Sequence, residues 1–142
     1  MASRYNAQYV NAMVLAARTE LGRAGAARVR VIRVPGAYEI PLVAARAAAQ
    51  SANTGQLTAV ICLGVILRGE TVHAAHIGEA VSRALMEIQL RYQVPVIHEV
   101  LLLENEAQAR VRCLSKTHNR GTEAAQSALA MAQVMGEIAN LL

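Results

Sequence analysis

Residues 57 to 67, LTAVICLGVIL, form the longest apolar run in the chain, and a single glycine, Gly64, interrupts it. A membrane-spanning helix needs roughly 20 consecutive apolar residues, so this run cannot be one. Its first part, LTAVICLG, is short, partly β-branched and without a polar face, which suits an interior parallel strand covered on both sides. Such a strand forces a layered architecture in which helices shield the sheet above and below. Directly after the run comes LRGETVHAAH, residues 67 to 76, where a glycine, an acid, a hydroxyl and two imidazoles crowd into ten positions.

The remaining elements fall around that strand. Residues 7 to 23 read as a helix with Val10, Met13, Val14 and Leu21 near one face and Asn6 as its cap. ARVRVIR, residues 27 to 33, alternates apolar with basic and predicts a strand. Pro35 and Gly36 turn the chain into AYEIPLVAARAAAQ, a helix that tolerates Pro41 in its first turn because no N–H is needed there. SANTG, residues 51 to 55, is loop chemistry. A long helix runs from Val72 to about Gln93, then VPVIHEVLL from Val94 is a strand and ENEAQARVR a short helix. CLSKTHNRG is a loop, and TEAAQSALAMAQVMGEIANLL is an amphipathic terminal helix. Strand and helix alternate throughout, predicting one α/β domain over residues 1–142 with a mostly parallel sheet and helices on both faces.

Composition narrows the function. Hydrophobic residues make up 54% of 142, with four Tyr and no Phe or Trp, so the core must be built from small aliphatic groups. The net charge is +4, but Arg18, Arg23, Arg28, Arg30, Arg33 and Arg46 are scattered among apolar residues. No basic run or basic-aromatic alternation marks a nucleic-acid surface. The start, MASRYNAQYV, lacks the basic-then-apolar layout of a secretory signal, and Cys62 and Cys113 fit reduced thiols better than a disulfide framework. The expectation is a cytoplasmic protein that binds neither membrane nor nucleic acid.

In parallel sheets ligands bind beyond the carboxyl ends of the strands, which is where LRGETVHAAH falls. Thr71 is a good cap for a helix beginning at Val72, and Gly69 lets the backbone bend before it. First-turn amides then face the cleft and offer an anion site, phosphate being the usual occupant. His73, in the same turn, could pass a proton near neutrality; an ordinary surface or capping histidine is the other reading. His73, His76 and Glu79 share a helix face at metal-ligand spacing, but no fourth ligand is marked, and His76 with Glu79 could equally be a surface ion pair. Glu39 is either a site acid or a first-turn carboxylate matched to its helix dipole. Arg112, Lys116 and Arg120 lie near the last loop, where Arg112 is either a phosphate ligand or a solvated helix-end cation.

Four segments in order, RYN at 4 to 6, VPGAYEIP at 34 to 41, LGVILRGETVH at 63 to 73, and VPVI at 94 to 97 followed by ENEAQARVR and NRGTEAA, resemble the lumazine synthase family of riboflavin biosynthesis. The resemblance implies a three-layer, flavodoxin-like fold. It also implies a transferase that condenses 5-amino-6-(D-ribitylamino)uracil with 3,4-dihydroxy-2-butanone 4-phosphate to 6,7-dimethyl-8-ribityllumazine, releasing phosphate and water, with no cofactor and no metal. By position, His73 matches the family's proton-transfer histidine, Arg112 its phosphate-binding arginine, and Glu70 and Thr71 the segment whose backbone holds that phosphate. Ala37, Tyr38 and Glu39 match positions that meet the ribityl chain and ring. Tyr5 stands where a stacking Phe is usual, Val65, Ile66 and Leu67 line the pyrimidine pocket, and His98 falls where many members place a Phe from the neighbouring subunit. The family implies homopentamers or larger shells with active sites between adjacent subunits.

The chain departs from the family pattern in three places. Ala74, Ala75 and His76 replace an aromatic-acid-aromatic triplet after His73, His98 replaces an aromatic, and only Met1, Ala2 and Ser3 precede Arg4 where the family has an interior strand. A leading strand is therefore expected to be truncated or its place taken by another segment. The departures also keep a second reading open, a catalytically weakened lumazine- or flavin-binding or scaffold homologue.

Overall fold

A computed structural model describes residues 1–141. Four strands, β1 (Ala2–Ser3), β2 (Arg33–Val34), β3 (Val60–Leu67) and β4 (Val96–Leu103), pair in the order β2-β1-β3-β4, every pairing parallel. Five helices connect or follow them: α1 (Ala7–Arg23), α2 (Ile40–Thr54), α3 (His73–Tyr92), α4 (Glu106–Leu114) and α5 (Arg120–Leu141). This is the three-layer α/β arrangement expected, with the apolar run at its centre.

The period-two geometry of a strand sends alternate side chains to opposite faces, and β3 uses both. Val60, Cys62 and Ile66 enter one cluster with Ile40, Ala44 and Ala48 of α2 and Val81, Leu85 and Ile88 of α3. Leu63 and Val65 enter the other with Tyr9, Val10, Met13 and Ala17 of α1, Ala109 and Cys113 of α4, and Ala124 and Ala125 of α5. The two cysteines are free, buried and on opposite sides of the sheet. Gly64 is where α2 comes close: a β-carbon there would lie 3.3 Å from Ile40 Cδ1 and 3.1 Å from Val100 Cγ1.

Three expectations are corrected. Residues 51 to 54, read as loop chemistry, extend α2 to Thr54, and Gly55 ends it in a left-handed conformation. The strand over 27 to 33 shrinks to Arg33–Val34; Val29, Val31 and Ile32 are exposed. Alternation with arginine gave this stretch strand periodicity, but both sets of side chains meet solvent, so no buried face fixes a register. Its interior neighbour is the chain start. The Ala2 amide donates to Ile32 O at 2.9 Å and the Leu63 amide to Met1 O at 2.9 Å, so residues 1 to 3 lie between β2 and β3. Asn6, expected to cap α1, makes no side-chain cap bond; it adopts a left-handed conformation at φ 52°, and its side-chain amide donates instead to Val65 O at 2.8 Å.

Small residues set how closely the helices pack. Gly121, at the start of α5, lies so near α1 that a β-carbon would come 2.0 Å from Met13 O, a clash with backbone that no rotamer relieves. Gly121→Ala should therefore lower unfolding stability by about 3 kcal/mol. Gly136→Ala, on the same helix with nothing within 4 Å of the new carbon, should raise it by up to about 1 kcal/mol through helix propensity. Urea denaturation of the two variants checks both signs.

Candidate active site

The carboxyl ends of β1, β2 and β3 are stitched together by backbone chemistry. Amides of Arg4 and Tyr5 both donate to Pro35 O at 3.2 Å, and Asn6 ties the same turn to Val65. The Tyr5 ring is left 75% exposed beside the loop that carries Tyr38, itself 64% exposed. Ala37 is buried beneath that loop, and Glu39 precedes α2 with its carboxylate accepting the Gly36 amide at 2.8 Å. Val65 and Ile66 are buried and Leu67 half-buried at the end of β3. The structure therefore brings Tyr5, Ala37, Tyr38, Glu39 and Val65 to Leu67 to one edge of the sheet.

Beyond that edge the chain continues through Glu70 and Thr71, both exposed, to α3, whose first residue is His73. The helix starts one residue later than expected, with Val72 at the cap position; Thr71 Oγ1 still lies 3.4 Å from the His73 amide, a long contact. No acidic side chain sits in the first turn of this 20-residue helix, and the exposed Glu70 is the nearest acid before it in the chain. His73 is exposed. The loop is braced from the neighbouring strand, where the Arg68 amide donates to Leu103 O at 2.8 Å and the Arg68 guanidinium pairs with Glu104 at 2.8 Å. Glu79 pairs with Arg83 at 3.0 Å rather than with His76. Among the described residues no group of histidine, cysteine and acid side chains is arranged to hold a metal.

His98 and Arg112 do not join this group. His98 pairs in register with Cys62, five residues before Leu67, so it lies about 16 Å back along the sheet from the strand end at 3.3 Å per residue. It projects on the α3 side of β4, the edge strand. Its ring accepts the Val100 amide at Nδ1 (3.2 Å), which leaves Nε2–H to donate to Ser82 Oγ (2.7 Å), whose hydroxyl donates to Gly78 O (2.8 Å). Arg112, in the last turn of α4, lies on the opposite side of the same strand. There a shallow groove of about 460 Å³ is lined by Gln108, Val111, Arg112, His118, Arg120 and Glu123, with Ala107 at its margin. The residues expected at the site thus fall in two places, one group beyond the strand ends and the other, His98 and Arg112, on opposite sides of β4.

Motif reading missed the groups that organise the second set. Glu99 is 7% exposed on the α5 side of β4, and Arg120 grips it with Nε and Nη2, both at 2.9 Å, while Nη1 reaches Glu123 at 2.6 Å. Burial raises the Glu99 pKa, opposed mainly by the charge of Arg120. The buried Asn119 accepts the Gly121 amide at 2.8 Å and donates to Cys113 O, holding the turn into α5. An acid in the middle of VPVIHEVLL was the available signal, since a carboxylate buried in an otherwise apolar strand requires a partner.

Although His98 is exposed overall, desolvation of its ring beside α3 lowers its pKa from the ordinary 6.5, and protonation would turn the acceptor of the Val100 amide into a donor. The folded state then binds this proton less well than the unfolded chain, so stability is present above about pH 6.5 and lost as pH falls below it. Denaturation midpoints measured from pH 7.5 to 5 should decline, and His98→Gln should flatten part of that decline; an unchanged slope in the variant would show that His98 is not its source.

A sequence model of the 6,7-dimethyl-8-ribityllumazine synthase family matches residues 1–136. A protein named 6,7-dimethyl-8-ribityllumazine synthase from Stenotrophomonas maltophilia strain R551-3 is 39% identical over 140 residues, covering 97% of this chain and 88% of the relative. One of the same name from Xanthomonas campestris pv. campestris strain B100 is 39% identical over 137 residues, 95% of this chain and 86% of the relative. The one from Xanthomonas oryzae pv. oryzae strain PXO99A is 41% identical over the same shares. This chain belongs to the 6,7-dimethyl-8-ribityllumazine synthase family.

Proposed function

We propose that the chain catalyses the lumazine-forming step of riboflavin biosynthesis, joining 5-amino-6-(D-ribitylamino)uracil to 3,4-dihydroxy-2-butanone 4-phosphate, and that it does so at sites completed between copies. The observation that carries the reading is the placement of His73 in the uncapped first turn of α3, where β3 delivers the chain beyond the sheet. The amides of that turn and of the Glu70–Thr71 segment supply positive potential for the phosphate, and the imidazole stands next to it.

In this reading Tyr5 stacks on the pyrimidine, while Ala37, Tyr38 and Glu39 meet the ribityl chain, with the end of β3 as the floor. The substrate amine adds to the ketone, the carbinolamine loses water to give an imine, phosphate departs and the second amine closes the ring. Every step moves protons between nitrogen, carbon and oxygen, and none changes the overall oxidation state, so an imidazole placed to accept and return protons serves the sequence. The phosphate is both handle and leaving group, which makes its binding part of the chemistry.

Residues along the β4 edge complete the site of an adjacent copy. His98 lies about 16 Å back along the strand from the level of Leu67 and Arg112 on the other side of β4, whose outer edge is left without a neighbouring strand. A second copy seated there would place Arg112 at the phosphate and His98 against the ring. A homopentamer, or a shell of pentamers, closes this head-to-tail contact into a ring. The apolar groove between α2 and α3, with Leu42 76% and Leu90 63% exposed, adds surface that association would cover.

His73→Ala should lower kcat by about a hundredfold or more, in line with the loss of a general acid-base group. Arg112→Ala should act mainly by raising KM for the phosphorylated substrate. Steady-state rates followed by lumazine absorbance with parallel phosphate release check both, and a His73→Ala variant of undiminished rate would refute the assignment of the proton carrier.

A further inference from the structure

Glu99 is an acid that the apolar pattern of β4 does not call for. Side chains on the α5 side of this strand are Ile97, Glu99, Leu101 and Leu103, and the three neighbours of Glu99 pack into the core. A carboxylate in such a row is destabilising unless its charge is fully met. Arg120 meets it in bidentate fashion, and the same guanidinium is held by Glu123 on its other side. Three of its five N–H donors are therefore committed to carboxylates.

The consequence lies in the neighbouring groove. Its wall carries two arginines, Arg112 and Arg120, together with His118 and Glu123. Arg120 is covered by two acids, whereas Arg112 makes no ion pair within 4 Å among the described residues and feels Glu99 only at longer range. With Glu99 directly behind the wall, two positive charges are balanced by two negative ones. The groove thus offers one free guanidinium in a field close to neutral, although it contains the residues for a strong dianion site.

We infer that Glu99 is a specificity-determining residue: it keeps Arg120 from acting as a second phosphate ligand and so limits the groove to weak, readily reversed binding of one phosphate group. The inference rests on the reading of Arg112 as the phosphate ligand. It accounts for how a site that must grip a phosphate ester can also discharge inorganic phosphate after the bond to carbon breaks. Two unneutralised arginines would hold the released dianion by bidentate, charge-assisted contacts, and turnover would wait on its departure.

The test uses inorganic phosphate as the probe on the assembled enzyme, read both as an inhibition constant against the phosphorylated substrate and by titration calorimetry. Glu99→Gln retains a hydrogen-bonding side chain but removes the charge, and should tighten phosphate binding by roughly tenfold at low salt. It should lower KM for the phosphorylated substrate and kcat together, as expected when product release slows. Arg112→Ala should weaken phosphate binding whether or not Glu99 is altered. If Arg112→Ala leaves phosphate binding unchanged, the reading of the groove itself is wrong. If Arg112→Ala weakens it but Glu99→Gln alters only thermal stability, the role assigned to Glu99 is wrong. Should Glu99→Gln fail to fold, Glu99→Met, an apolar side chain matched to the neighbours Ile97, Leu101 and Leu103, also frees the guanidinium and should tighten phosphate binding by roughly tenfold at low salt; no tightening there contradicts the inference.

Discussion

Eight consecutive residues of β3 pair in parallel with eight of β4, from Val60 opposite Val96 to Leu67 opposite Leu103, and the geometry of the site follows from that register. It ends both strands at the same level, so the loop leaving β3 is held by Leu103 and Glu104 before α3 begins. It also places His98 and Glu99 well behind that level, on opposite faces. A slip of one residue would exchange those faces, turning Glu99 toward α3 and His98 toward Arg120. The two polar residues distinguish the faces: Glu99 is met by Arg120 on the α5 side and His98 by Ser82 on the α3 side, while the apolar positions of both strands are covered by helices on either side.

The elements with a buried face were legible in the sequence. The α1 helix spans 7 to 23 as its periodicity indicates, and β3, α3, β4 and α4 fall within a few residues of their expected limits. The stretch from 27 to 33 was misread because alternation alone predicts a strand only when one of the two sets is covered. Asn6 was misread for a related reason. A side-chain amide before a helix is ordinarily a cap, but here it donates to the carbonyl of Val65 across the sheet, a partner that no local pattern reveals. Thr71 stands in the expected turn, with the helix beginning one residue later at His73.

Site residues close in sequence were legible as a group, because residues 65 to 73 carry their own strand-to-helix geometry. The groups beyond that segment needed the sheet. Nothing local in the sequence shows that Arg112 and His98 flank the same strand, that Arg120 is committed to Glu99, or that His98 lies well back along the strand from the level of Leu67. In the proposed reading, one surface supplies the proton carrier and the pyrimidine floor and the other a cation and a ring, so that a chain with few polar groups uses two surfaces for one reaction.

The claim that one chain's α3 start works with another chain's β4 edge is open to a direct measurement. His73→Ala and Arg112→Ala proteins, each impaired alone, are dissociated, mixed in equal amounts and allowed to reassemble together. If sites form between copies, some interfaces in the mixture join an intact His73 to an intact Arg112, and lumazine formation should rise well above that of either variant reassembled alone. A mixture no more active than the average of its two components, with co-assembly verified by mass, would contradict the account.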